Sequence, residues 1–487
     1  MSETSQPMSD VKLEDIVSLA KRRGFIYPGS DVYGGLSGTW DYGPLGVALK
    51  KNIMNLWWKM FVEDRDDMLG VDAAILMNQK VWQASGHVDT FTDPLVECSN
   101  CHSRHRADKL DDPNKCPTCG KEGTFGEAVA FNMMFKTLVG PATALQFEGY
   151  DSLAGEITAR SEKSEVKETK VNIEERQNAD SFMLYESADV SYLRPETAQG
   201  IFTNFKNVVD SFYPDMPFGI GQQGKAFRNE ISPRDFIFRS REFEQMEIEY
   251  FVHPEQWEET FEAWRKAVWE WCEALGLPKE SVHELEVPDE DRAHYSKRTI
   301  DFEFDFPIGR EELLGLAYRT DFDLKNIERV SGKKMEYQPK DGGEPFVPHV
   351  IEPSFGVERA LMAVLTAAYT EDEVNGEKRT FLKLPAHLAP VKVAVLPLAK
   401  NKPELVAKAR EVYAMLKKEI GSVMWVDTGN IGKNYRRMDE IGVPYCVTID
   451  FETLEGDTKD TVTVRHRDTT QQKRVLSSDL VSEFSQM

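Results

Sequence analysis

Between residues 219 and 252, two segments of alternating apolar and polar residues flank a polar loop that carries Arg234, Arg239 and Arg241. A period of two marks strands whose faces meet different surroundings, so the stretch reads as an antiparallel hairpin. The first strand runs out through Phe227-Arg228-Asn229-Glu230, and the second returns as Phe243-Glu244-Gln245-Met246-Glu247-Ile248-Glu249. The alternation puts Phe243, Gln245, Glu247 and Glu249 on one face and Met246, Ile248 and Tyr250 on the other. One face can pack while the other binds a ligand. Guanidinium groups ranged along such a hairpin suit a phosphate chain, because each planar fork holds two oxygens and stays charged. An ordinary charged surface hairpin would carry the same residues. Gly219-Ile220-Gly221-Gln222-Gln223-Gly224 satisfies the glycine pattern of dinucleotide folds, but such a fold needs a helix directly after it. Here the segment runs on as strand, and the dinucleotide reading is set aside.

Residues 299–323 alternate in the same way, while 257–275 and 355–369 read as helices. The coarse picture is an α+β fold, an antiparallel sheet flanked by helices. Near residues 388–390 the pattern changes to strand (391–398), amphipathic helix (403–420), strand (423–427), short helix and strand (445–451), a separate α/β domain over 388–487. A chain of 487 residues exceeds what one core serves well, in keeping with more than one domain. The larger domain spans 11–387 and follows a disordered tail at 1–10. It carries insertions at 96–122 and 148–180, of which residues 151–180 hold alternating charges and no aromatic residue. A helix over 47–62 bears Leu49, Ile53, Met54, Leu56, Trp57, Met60 and Phe61. That is more apolar surface than one side of a monomer helix needs, which fits either a core helix or a subunit interface.

The formal charge of −23 opposes a polyanionic partner for the chain as a whole, but it is unevenly spread. From residue 391 onward 15 basic residues meet 14 acidic ones, net +1, so everything before carries −24. The last domain is therefore the part suited to nucleic acid. There Lys433, Arg436 and Arg437 stand at i, i+3 and i+4 of the short helix, pointing either at phosphates or at solvent. No window approaches the ~18 apolar residues of a membrane span. The N-terminal residues lack the basic start and apolar stretch of a secretory signal, which implies a cytoplasmic protein.

Cys98-x2-Cys101, 14 intervening residues and Cys116-x2-Cys119 match a four-thiolate ribbon around one structural Zn²⁺. An emptied site or a redox pair would show the same spacing. Cys272 and Cys446 stand alone and read as small buried apolar groups.

Three short motifs in order carry a family resemblance. Phe227-Arg-Asn-Glu230 resembles the second signature motif of the class II aminoacyl-tRNA synthetases, Gly356-Val-Glu-Arg359 the third, and the stretch ending at Pro44 the first. Ser85-Gly-His87, Arg106-Ala-Asp108, Phe131-Asn-Met-Met-Phe135, Arg194-Pro-Glu-Thr-Ala-Gln-Gly200 and Glu352-Pro-Ser-Phe355 are similar to the homodimeric glycyl-tRNA synthetases in particular. The resemblance implies a class II catalytic domain, a C-terminal anticodon-binding domain, a homodimer joined through the first motif, and ATP-dependent attachment of glycine to tRNA(Gly) through an adenylate. Arg228, Glu230 and Arg359 would be catalytic. ATP would meet Arg228, Asn229, Glu230, Phe238, Arg239, Ser240, Arg241, Glu242, Phe243, Leu313, Gly356, Val357, Glu358 and Arg359, with Glu312 on Mg²⁺. Glycine would meet Arg106, Glu196, Phe243, Glu244, Gln245, Met246, Glu247, Glu352, Pro353, Ser354, Phe355 and Gly356. A non-catalytic relative, and a class II enzyme for another small amino acid or a tRNA-independent ligase, are the competing readings. Retention of Arg228, Glu230 and Arg359 argues against the first.

Overall fold

The computed structural model describes residues 11–139, 143–144, 156–157, 171–172, 185–186, 189–293, 295–374 and 376–484. The tail at 1–10 and most of the charged insertion at 148–180 lie outside the described residues.

Seven strands form the central sheet: β1 (Met68–Gly70), β2 (Phe218–Phe227), β3 (Glu242–Val252), β4 (Val282–Glu286), β5 (Arg298–Phe306), β6 (Gly309–Thr320) and β7 (His349–Gly356). Their order is β4-β5-β6-β7-β3-β2-β1, antiparallel except for the edge pair β1 and β2. The hairpin read from alternation is the β2–β3 pair, with Phe218 opposite Phe251 and Phe227 opposite Glu242. Its even-numbered side chains Met246, Ile248 and Tyr250 enter the main core with Trp57, Phe61, Trp264 and Trp271.

Among the described residues the five longest helices of this domain are α1 (Leu13–Arg23), α2 (Pro44–Trp58), α3 (Ala198–Phe212), α4 (Trp257–Ala274) and α5 (Val357–Ala368), with shorter ones at Gln79–Ala84, His87–Thr90 and Phe322–Ser331. Helices α2, α4 and α5 pack on the even face of β3, and α3 covers part of the odd face through Phe202, Phe205, Phe218 and Phe251. Helix α2 starts three residues earlier than its apolar pattern, because Pro44 at its first position needs no backbone donor there. It ends in a π-helical turn at Lys59–Glu63. Helix α5 begins at Val357 because Phe355 and Gly356 still pair as strand.

The glycines of residues 219–224 serve close packing within strand β2. A Cβ on Gly224 would lie 2.2 Å from Arg194 Nη2. Arg194 is buried and donates to Ala73 O at 2.8 Å and to Lys225 O at 2.6 Å, so it has nowhere to move.

The C-terminal domain has β8 (Val393–Pro397), α6 (Pro403–Ile420), β9 (Val423–Trp425), α7 (Ile431–Glu440), β10 (Tyr445–Ile449), β11 (Thr461–His466), β12 (Gln472–Leu476) and α8 (Leu480–Phe484). The sheet order is β9-β8-β10-β11-β12; the first three strands are parallel and the rest antiparallel. All five residues of β8 are buried, as a strand covered on both faces requires. The three basic residues of α7 do not act alike. Arg436 is held across the domain boundary by Glu377 and by the Lys378 carbonyl at 3.0 Å, and Arg437 donates to Thr428 Oγ1 at 3.3 Å.

Candidate active site

A cavity of about 430 Å³ opens on the odd face of β3, beside α3. Register sets its floor: Glu247 lies opposite Ser354, Gln245 opposite Gly356, Gly315 opposite Ser354 and Ala317 opposite Glu352. Alternation along three adjacent strands therefore turns Glu247, Ser354 and Glu352 the same way.

One end of the cavity is acidic. Glu247 accepts from Thr197 N at 2.9 Å, Ser354 Oγ at 2.8 Å, Gln245 Nε2 at 3.0 Å and the Thr197 hydroxyl. Glu352 accepts from Arg319 Nη1 at 2.6 Å, and the same guanidinium donates to both oxygens of Asp323 at 2.8 and 3.0 Å. Arg319 also lies 3.8 Å over the Tyr295 ring. Gln199 Nε2 donates to Asp323 at 2.8 Å and to Glu196 at 3.3 Å. His87 Nε2 stands 3.3 Å from the other oxygen of Glu196, and Ser85 Oγ lies 2.8 Å from His87 Nδ1.

Burial, with Glu247 and Glu196 adding to it against Arg319, pushes Glu352 up to about 8. Burial and Glu196 raise Glu247. Burial also works against Glu196, but His87, Arg319 and Arg228 outweigh it and hold that carboxyl low. Glu249 is fully buried, and burial raises it well above the ordinary range.

The other end is cationic. Arg228 lies 5.3 Å over the Phe243 ring and donates to the Pro195 carbonyl at 3.1 Å. Arg359 lies 4.7 Å over Phe238 and holds Glu312 through its carbonyl at 3.0 Å and its carboxylate at 2.9 Å. Both guanidiniums, 131 positions apart in sequence, line this one cavity. Arg359 lowers the Glu312 carboxyl, whereas burial and Glu312 push Asp301 up to about 7. Glu358 faces the inner wall, accepting from Tyr42 OH at 3.0 Å and from Glu244 N at 2.9 Å, and burial together with Glu244 pushes it up to about 7.

The cavity collects Arg106, Glu196, Arg228, Glu230, Phe238, Arg239, Ser240, Phe243, Gln245, Glu247, Glu312, Leu313, Glu352, Ser354, Gly356, Glu358 and Arg359. Other residues of the same strings lie elsewhere. Met246 and Phe355 enter the main core, Val357 is buried with them, and Pro353 is buried opposite Leu316. Glu244 pairs with Lys50, and Glu242 with Lys225. Asn229 donates its backbone N–H to Met133 O at 2.7 Å, and Arg241 is tied to the Glu230 and Ser37 carbonyls. Consecutive residues of a strand cannot all face one ligand, which is why a motif read as a string overcounts. Sequence reasoning assigned no role to Arg319, Asp323, Tyr295, His87 or Asp301. The one available signal was Arg319 inside an apolar strand with Asp323 four residues on.

Beside the cavity, strands Thr92–Glu97, Arg104–Arg106 and Val129–Asn132 form a small sheet bearing the four cysteines. Their sulfurs lie within 4.8 Å of one another, with Cys98–Cys119 and Cys101–Cys116 each at 3.7 Å. A tetrahedron of ~2.3 Å Zn–S bonds has edges near 3.8 Å, so the set fits Zn²⁺. Arg106 extends from this sheet to the cavity, paired with Asp93 at 2.6 Å and Asp108 at 2.7 Å. Cys272 and Cys446 are buried and unpaired, and burial raises both thiols.

Two family models match the chain: the tRNA synthetase class II core domain (G, H, P, S and T) over residues 182–368 and an anticodon binding domain over residues 392–487. The glycine–tRNA ligase of Streptomyces coelicolor is 44% identical, the alignment covering 96% of each chain. That of Deinococcus radiodurans is 46% identical, covering 97% of this chain and 98% of its own. The chain belongs to the glycine–tRNA ligase family. It is a class II aminoacyl-tRNA synthetase that joins glycine to tRNA(Gly) with ATP, by way of an adenylate. The crystal structure of prolyl-tRNA synthetase from Cryptosporidium parvum, complexed with L-proline and AMP, shares the fold at a TM-score of 0.58 and 15% identity, covering 97% of this chain and 74% of that one. Among the described residues no helix is long and apolar enough to cross a membrane.

Proposed function

We propose that the acidic end of the cavity receives the glycine ammonium and the cationic end the triphosphate of ATP. The observation that carries this is the charge imbalance. The lining carboxyls Glu196, Glu247 and Glu352 are all buried, while among the described residues Arg319, which is shared with Asp323, is the one guanidinium bonded to any of them. A buried carboxylate without a cation is costly, and an ammonium supplies the missing charge.

The glycine carboxylate oxygen attacks the α-phosphorus, the bond to the bridging oxygen breaks, and pyrophosphate leaves. A terminal ribose hydroxyl of tRNA then attacks the glycyl carbonyl and AMP departs. No protein nucleophile is needed, so the chain's work is to align the reactants and balance developing charge. Arg228 and Arg359 steady the phosphates, and Phe243 offers its ring to adenine. The facing carboxylates Glu312 and Asp301 are a donor set suited to Mg²⁺, which would screen phosphate charge. Glu247, fixed by four donors, makes a wall that cannot yield to a methyl group, which disfavours alanine.

Outside the cavity, the four cysteines hold a structural Zn²⁺ and the protein works as a cytoplasmic homodimer. Tyr27, Val32, Tyr33, Leu36 and Val47, exposed on and just ahead of α2, support the dimer. The C-terminal domain meets tRNA. The test is amino-acid-dependent ATP–pyrophosphate exchange with glycine, alanine and serine. Exchange with glycine alone is expected, and equal exchange with alanine would overturn the assignment of the pocket.

A further inference from the structure

The two domains meet at a buried charge cluster that the chemistry of the cavity does not use. After α5 the chain forms a hairpin, Tyr369–Val374 with Glu377–Leu382, before crossing to the C-terminal domain. Arg379 stands in the second strand and is 3% exposed. It clasps Asp372 within the hairpin, one contact being Nε to Oδ1 at 2.8 Å. Its Nη1 crosses the boundary to Asp439 Oδ2 in α7 at 3.0 Å and to the Arg467 carbonyl at 2.8 Å. Asp439 is fully buried and also takes Arg465 through both oxygens, at 2.7 and 2.8 Å. On the same side of α7, Arg436 meets Glu377 and Glu440 meets Arg23 of α1. Arg467 returns the crossing, donating to the Leu384 carbonyl at 2.9 Å.

Helix α7 is thus held by three charged contacts on the catalytic side. Helix α5, whose first turn carries Arg359, leads directly into the hairpin that makes two of them. We propose that Arg379 is a positioning residue for tRNA: by tying the hairpin after α5 to Asp439 of α7, it sets the angle at which the C-terminal domain presents tRNA to the cavity. The inference rests on the reading that the C-terminal domain meets tRNA. A planar guanidinium with partners on both sides of a boundary fixes orientation as well as distance, which a lysine would not.

The test is the full-length Arg379→Met variant. It leaves Asp439 its two-point bond to Arg465, and it leaves Asp372, a third exposed, able to hydrate. Glycine-dependent ATP–pyrophosphate exchange should stay within about twofold of the original chain, while the KM for tRNA in aminoacylation rises about tenfold, the scale of one lost charge-assisted bond. Binding of an isolated anticodon stem-loop should not change. An unchanged tRNA KM, or exchange and aminoacylation falling in parallel, overturns the proposal. Asp372→Asn, which loosens the clasp from its exposed end, should show the same split at smaller size and covers the case in which the methionine variant folds poorly. Small-angle scattering decides the joint without catalysis: the variant should sample a wider spread of domain separations, and an identical profile counts against it. If the original chain failed to bind the stem-loop, the tRNA reading itself would fail, while the scattering comparison would still decide the joint.

Discussion

Replacing Glu352 with glutamine keeps the side chain's shape and an oxygen for Arg319 but removes a charge from the pocket. Two unit charges about 4 Å apart at an effective dielectric near 20 attract by about 4 kcal/mol. In the original protein at pH 7 the carboxyl, held up at about 8, must first release its proton, which costs about 1.4 kcal/mol per pH unit. The net, about 3 kcal/mol, corresponds to a rise in the glycine KM on the order of a hundredfold. The ATP KM should stay within about threefold, because the change touches only the amino-acid end. The pH dependence has a definite sign. Glycine's ammonium pairs with the carboxylate form, so below about 8 a proton leaves Glu352 as glycine enters. The glycine KM should therefore fall by up to about tenfold per pH unit as pH rises, then level off above the pKa. The glutamine variant should lose that slope. Glycine-dependent pyrophosphate exchange from about pH 6.5 to about pH 8.5 reads both effects without involving tRNA. A glycine KM close to the original at pH 7, or matching slopes in the two proteins, would refute the reasoning.

His87→Ala should raise the glycine KM about tenfold and leave that of ATP alone, with glutamine partly restoring it, because His87 acts through Glu196; equal effects on both substrates would make it a folding residue. Arg359→Met should lower exchange kcat by about 10² to 10³, the usual loss for one donor to a developing anion, and a tenfold loss or less would count against its role. Elemental analysis should find one zinc per chain, and chelation or Cys101→Ser should lower the melting temperature; zinc-free protein melting at the same temperature would end that assignment. Gly224→Ala should lower the denaturant midpoint by an amount equivalent to about 1–3 kcal/mol through its collision with Arg194, and an unchanged midpoint would show that the strand can shift.

The central hairpin was legible because alternation is a local property: residues 243–250 state their two faces without reference to anything distant. The partners across those faces were not. Arg319, with Asp323 four residues on, and His87 stand behind the lining carboxyls Glu352 and Glu196, and no spacing in the chain relates the first two to His87 or any of them to those carboxyls. The last two strands, β11 and β12, were also unread. Val462 and Val464 alternate with Thr461, Thr463 and Arg465, but the segment is short and crowded by charge. On α7, helical spacing grouped Lys433, Arg436 and Arg437 on one side, but it could not foresee that a strand of the other domain would take Arg436 and that Arg437 would turn to Thr428. Periodicity assigns faces; only tertiary structure assigns what each face meets.

The same limit explains why the cavity's two ends matter more than its individual residues. Burying several carboxylates beside one guanidinium is a poor way to stabilise a fold, since apolar residues of equal volume commonly do as well or better. Such an imbalance is retained where a ligand completes it. At the far end the direct contacts of Arg228 are a carbonyl and an aromatic face, both neutral, so no carboxylate occupies its hydrogen-bonding fork. An amino acid and a nucleotide can satisfy these opposite demands together only with the carboxylate of one facing the α-phosphate of the other. In the arrangement proposed for the two substrates, the repulsion between those anions must be relieved where the bond forms, and the guanidinium proposed to relieve it is Arg228, which lies between the Phe243 ring and the Pro195 carbonyl.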